Sequence, residues 1–180
     1  MMDNFVAKII EFGAKAASVI EVKDITFRPE FREACKRNAC GKYNTNWGCP
    51  PACGSIEDMM AQAQSYPYAL VYQTVSQLED SFDYEGMQAG KAFYNQVTEQ
   101  VLKAYAEDFP EKETLFLNAG ACKLCSRCAK LDEQPCRFPD KRTISMEAYG
   151  VDVSNLAKVA GMNYINGQNT VTYFGAILFR

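Results

Sequence analysis

The sequence predicts an α+β fold: one domain over residues 1–180, a mixed and partly antiparallel sheet with helices, two cysteine-rich loops, and a β-hairpin at the C-terminus. Three observations carry this expectation. Apolar residues recur at helical spacing in some segments and alternate at strand spacing in others, without a strict βαβ rhythm. Asn166-Gly167 stands between two apolar runs near the end, a strong hairpin signal. Apolar residues make up 48% of the chain, enough for a core that does not need covalent staples.

The elements follow in order. Residues 4–16 read as an amphipathic helix with Phe5, Ile9 and Phe12 on one face. Residues 18–26 alternate like a strand. Pro29 opens a short helix through Phe31 and Arg32 into Cys35, and the turn-rich stretch 38–54 is a loop. Ser55 and Asp58 form a capping box for a helix over 56–64. Residues 68–76 are a strand with an apolar centre. Residues 83–107 make the longest helix, with Met87, Tyr94, Val97, Val101 and Tyr105 near one face, and Pro110 ends it. Residues 114–119 form a buried strand that delivers the chain into Cys122. Short helices are expected near 145–149 and 153–160, then strands at 162–166 and 170–179, joined by Asn166-Gly167-Gln168-Asn169.

Several function classes are excluded early. The net charge is −3 and the basic residues form no stripe, so nucleic-acid binding has no electrostatic support. No apolar run is long enough to span a bilayer, so membrane insertion is not expected. The first residues lack a basic leader, and Lys8, Glu11 and Lys15 break the apolar run, so the expected compartment is the cytoplasm. The chain has no histidine. Histidine-dependent catalysis and histidine-bound metal are therefore absent.

Eight cysteines remain to be explained. In a reducing compartment they point to metal rather than to disulfides. The second set reads Cys122-Lys123-Leu124-Cys125-Ser126-Arg127-Cys128, with Cys136 seven residues further on. Three cysteines at this spacing wrap one end of a cubane, and a remote fourth closes the site. The gap to Cys136 is longer than in the simplest ferredoxin run, which leaves its partner set open. The first set is Cys35, Cys40, Cys49 and Cys53. Pro50 and Pro51 stiffen the turn after Cys49. Gly41, Gly48 and Gly54 let backbone amides approach, and Trp47 and Tyr43 are expected to shield this set from water. Each set is expected to bind one [4Fe–4S] cluster. Zinc on four thiolates is the main alternative and disulfides the second.

Around these sets, Lys123, Arg127, Lys130 and Arg137 read as a solvated basic rim that also suits an acidic partner or an anionic substrate. Glu147 and Asp152 read as a helix face and an N-terminal cap before they read as general acids.

At these motifs the sequence resembles the DUF2284 family of predicted metal-binding proteins. The resemblance rests on Cys35 and Cys40, on Trp47-Gly48-Cys49-Pro50-Pro51, and on Gly120-Ala121-Cys122 through Cys128. It continues through Pro135-Cys136-Arg137-Phe138-Pro139 and from Ser145 to Val153. It implies metal binding, commonly in anaerobic hosts, and supplies no reaction.

Three functions compete. An electron-transfer protein, or the electron-carrying subunit of a redox system with a partner protein, predicts full thiolate ligation and no deep pocket. A redox enzyme predicts a cluster beside a small-molecule pocket, with Arg137, Glu147 and Trp47 as its walls and one cysteine, Cys136 or Cys35, set free. A structural or sensing module predicts metal binding as part of folding. Substrate and oligomeric state are not legible in the residues.

Overall fold

The computed structural model of the protein describes residues 2–180. Helix α1 covers Met2–Glu11. It ends five residues short of the expected limit because Gly13 takes a φ of 110°, a conformation that breaks the helix and turns the chain back. Strand β1 (Ala16–Glu21) follows, then a single 3₁₀ turn over Val22–Asp24 where the strand was expected to continue. Helix α2 is Phe31–Lys36. Helix α3 is Ile56–Gln64, and the Ser55 hydroxyl accepts from the Asp58 N–H as the capping box requires.

Strand β2 (Tyr68–Gln77) and helix α4 (Tyr84–Asp108) come next, and the Asp83 carboxylate caps α4 by accepting from Gly86 N–H. Strand β3 is Thr114–Asn118 and β4 is Ile144–Ser145. A 3₁₀ turn at Glu147–Tyr149 stands where a helix was expected. Helix α5 (Val153–Val159) and strand β5 (Thr170–Phe179) complete the chain.

The sheet runs in the order β1-β2-β5-β3-β4. All neighbours are antiparallel except β3 and β4, which pair in parallel through Leu117↔Ile144 and Asn118↔Ser145. The sheet is therefore mixed, as expected. Both of its faces are covered. Leu70, Tyr72 and Ile177 pack with Phe5, Ile9, Tyr94, Val97 and Val101 beneath α1 and α4. Ala69, Val71, Ala176 and Leu178 pack on the other face with Met59, Ala63, Met146 and Leu156. The two-residue period of β2 and β5 thus divides between two apolar layers, which is why their centres read as continuous apolar runs.

The C-terminal hairpin does not form: residues 162–166 are not a strand. β5 instead pairs along its whole length with β2, from Tyr68↔Phe179 to Gln77↔Thr170. The Asn166 side chain organises the preceding loop itself, donating to Asn163 O and Thr172 Oγ1, both at 3.0 Å. Asn166-Gly167 marks a turn here, as its chemistry dictates, but the turn enters β5 from a loop.

Gly175 lies directly across from Tyr72 in the β2–β5 ladder. A Cβ at this position would press into the Tyr72 ring, whose hydroxyl donates to Thr98 Oγ1 at 2.8 Å and cannot swing aside freely. Gly175→Ala is expected to lower stability by about 1–3 kcal/mol through overpacking. Urea unfolding checks this: the midpoint falls and the slope is unchanged. An unchanged midpoint would show that Tyr72 does not confine this position.

Candidate metal centre

Strand β3 ends at Asn118, and the chain returns to the sheet only at Ile144, as the parallel neighbour β4. A parallel return needs a crossover, usually helical. Here the crossover is segment 119–143, which carries Cys122, Cys125, Cys128 and Cys136. The first cysteine loop, 37–54, joins α2 to α3. It meets the second at the β4 edge of the sheet.

The meeting point is Asn46-Trp47-Gly48. Asn46 is only 8% exposed. Its Nδ2 donates to Cys122 O at 3.0 Å, and its Oδ1 accepts from Gly48 N at 2.8 Å. Trp47 N–H points at Cys128 Sγ, 3.4 Å away, and Trp47 Nε1 donates to Gln134 O at 2.9 Å. Lys130 sits over the indole, 5.4 Å from the ring centroid. A Cβ on Gly48 would collide with Thr143 O and crowd Cys122 Cβ at 3.1 Å, so glycine is required by close approach. Trp47 therefore faces the second cysteine set, not the first that it was expected to shield. Its place in the sequence, two residues before Cys49, hid this.

The four cysteines of the second set, Cys122, Cys125, Cys128 and Cys136, line one narrow cavity of about 20 Å³ together with Trp47 and Arg137. The first three also border an open cleft of about 560 Å³ with Lys42 and Arg127. In the first set, Cys35, Cys40 and Cys49 line a cavity of about 460 Å³ with Tyr43 and Glu147. Cys53 lies beside this cavity, its Sγ 3.4 Å from Met59 Sδ. No two of the eight cysteines are joined in a disulfide. Among the described residues, no three Cys, Asp or Glu side chains converge on the position of a single ion.

The thiols of the first set feel one another. Burial pushes Cys49 up to about 12, and Cys40, Cys53, Cys35 and Cys122 add to the effect. Burial also raises Cys35 and Cys53, and in each case the Arg32 charge pulls partly the other way. Arg32 is 8% exposed. Its guanidinium donates to Gly54 O at 2.7 Å and to Ala148 O at 3.1 Å, while Nε has no partner. No carboxylate pairs with it among the described residues. The unpaired Arg32 charge favours ionisation of the neighbouring Cys35 and Cys53 thiols, against the larger effect of their burial. Sequence reading treated Arg32 only as part of a short helix; its position three residues before Cys35 was the available signal.

The remaining candidates separate. Asp152 caps α5 by accepting from Asn155 N–H and pairs with Arg28 at 2.7 Å, so it is structural. Glu147 lines the first cavity, whereas Arg137 and Trp47 line the second, so the enzyme pocket expected from these three is not assembled. Arg127 pairs with Asp132 at 2.8 Å and Arg137 donates to Arg127 O, so part of the basic rim braces the second loop.

This geometry meets a family pattern that spans residues 18–179. The chain belongs to the DUF2284 family of predicted metal-binding proteins. No curated protein and no solved structure matches it. Within the DUF2284 span lie all eight cysteines, Arg32 and the Asn46-Trp47-Gly48 clasp.

Asn46 holds two cysteine loops at once, so its loss is expected to leave Gly48 N–H and Cys122 C=O unpaired. Asn46→Ala should lower stability by about 1–3 kcal/mol. It should also speed amide hydrogen exchange in both loops while β2 and β5 stay protected. Exchange that rises in the first loop alone would disprove the coupling.

Proposed function

We propose that the protein is a two-cluster iron–sulfur protein. Cys35, Cys40, Cys49 and Cys53 would hold one [4Fe–4S] cluster, and Cys122, Cys125, Cys128 and Cys136 the other. Such clusters, when bound, take up and release single electrons. The role we assign is electron transfer with a redox partner protein in the cytoplasm.

The observation that supports this reading is the clasp, which joins the loop bearing Cys49 to the loop bearing Cys122 and Cys128. The donor chemistry agrees. Eight thiols with no histidine in the chain suit sulfur-rich ligation. The Trp47 N–H directed at Cys128 Sγ is the kind of backbone donor that stabilises a metal-bound thiolate. Arg32 offers buried positive charge to the first set, where ligand thiolates would otherwise repel one another. No helix among the described residues is long and apolar enough to cross a membrane.

A second reading has one specific observation in its favour. The cavity of about 460 Å³ on Cys35, Cys40 and Cys49 is large enough for a small molecule, which fits a redox enzyme better than a simple carrier. Glu147 and Lys42 are its charged walls.

Metal analysis of protein purified without oxygen tests the first claim. About eight irons and eight sulfides per chain, with a cubane EPR signal on reduction, are expected. About two zincs without sulfide would instead establish a structural zinc module. Cys125→Ser should remove about half of the iron; full retention would remove Cys125 from the ligand set. Arg32→Leu should lower the reduction potential of one cluster and leave the other unchanged, because it removes positive charge next to the first set only. Redox titration reads the two separately, and equal shifts in both would contradict the placement of the charge.

A further inference from the structure

A cavity of about 310 Å³ lies outside the cysteine sets, between α4, the end of β3 and β5. Lys91, Asn118, Lys123, Glu147, Tyr173 and Phe174 are among its walls. Lys91 comes from α4 and is half-buried. Its ammonium sits 4.3 Å from the centroid of the Tyr94 ring and 5.1 Å from that of Tyr173. Two aromatic faces hold the charge in place.

An ammonium has three N–H groups. One donates to Ala119 O; among the described residues the others have no protein acceptor. Neither Lys91 nor Lys123 forms an ion pair among the described residues. Burial first, then the Lys123 charge, lower the Lys91 pKa to about 8 against the opposing pull of Glu147. Two lysines and one glutamate leave the cavity positive. A cation set over two rings, with N–H groups that lack a protein acceptor among the described residues, thus lines a cavity of net positive charge.

We propose that Lys91 and Lys123 bind the oxyanion head group, carboxylate or phosphate, of a small molecule in this cavity. Gly120, Ala121 and Glu147 line both this cavity and the one on Cys35, Cys40 and Cys49. The two spaces are neighbours across that wall. The seat itself uses no cysteine, so it stands whatever metal the cysteines hold.

The alternative is a lysine that only ties α4 to Ala119 O. Calorimetry on the full chain with butyrate and with inorganic phosphate as probes separates the two. Binding in one arm identifies the head group. Lys91→Gln should weaken that binding at least tenfold and Lys91→Arg should largely restore it. Lys123→Gln should weaken it several-fold, and Glu147→Gln should tighten it, because a repelling carboxylate is gone. Affinity should fall as pH rises through about 8, where Lys91 loses its proton; Lys123, Glu147, Tyr94 and Tyr173 are the other titratable groups facing it. No binding of either probe, or unchanged affinity in folded Lys91→Gln, overturns the proposal. If that variant does not fold, the opposite shifts in Lys123→Gln and Glu147→Gln decide, and their absence also overturns it. Iron measured on the same samples keeps loss of metal distinct from loss of the anion seat.

Discussion

Two cysteine-bearing loops are tied together by one buried side chain. Asn46 has an acceptor and a donor, and the structure uses each on a different loop: Oδ1 on its own Gly48 amide, Nδ2 on the Cys122 carbonyl. Loop backbone that leaves the surface must find partners or lose about 1–3 kcal/mol for each group left bare. These loops find them in one another. The absent Cβ of Gly48 makes the approach possible, and the Trp47 indole extends it to Gln134 O. With that contact set, the positions of Cys122 and Cys49 are no longer independent. The same dependence appears in electrostatics, since Cys122 contributes to the raised pKa of Cys49.

Charge is the second constraint on this edge of the sheet. Thiols gathered in a partly dry place resist ionisation, by burial first and by mutual repulsion second. Positive charge is what relieves both effects. Arg32 supplies some of it from inside the fold, without a carboxylate to absorb it. A buried arginine of this kind is costly when alone. Anionic sulfurs beside it would offset that cost, and thiols bound to metal are anionic. At the first set burial still outweighs that charge, so the Cys35, Cys49 and Cys53 thiols remain harder to ionise than a free cysteine.

Much of the fold was legible because local signals agreed with the tertiary outcome. Ser55 with Asp58, the apolar stripe on α4, and the strands over 68–76 and 170–179 all appear where the residues put them. Asn166-Gly167 misled because a turn signal fixes a turn but not what it joins; β5 already had β2 along its full length, and the loop before it was closed by the Asn166 side chain. The cysteine sets were legible as spacing. Their relationship was not. Trp47 sits beside Cys49 in sequence and beside Cys128 in space, and no period in the chain reports a contact across the clasp. Lys91 was silent: it is an ordinary residue on a long helix until burial removes part of its water.

The short parallel pair β3–β4 explains why chemistry collects here. A parallel neighbour obliges the chain to leave the sheet and cross back so that it re-enters running in the same direction. In this protein the excursion is not a helix but the second cysteine loop, which starts at Ala119 and closes at Thr143. Its first residues, Gly120 and Ala121, form a thin partition with a cavity on either side. Gly120 takes a φ of 80° and has open space around its Cα, so it turns the partition without filling it. On one side stand the thiols of the first set, on the other the lysine of α4. The strand order thus places sulfur and ammonium within one neighbourhood, although Cys40, Lys91 and Ala121 are far apart in sequence.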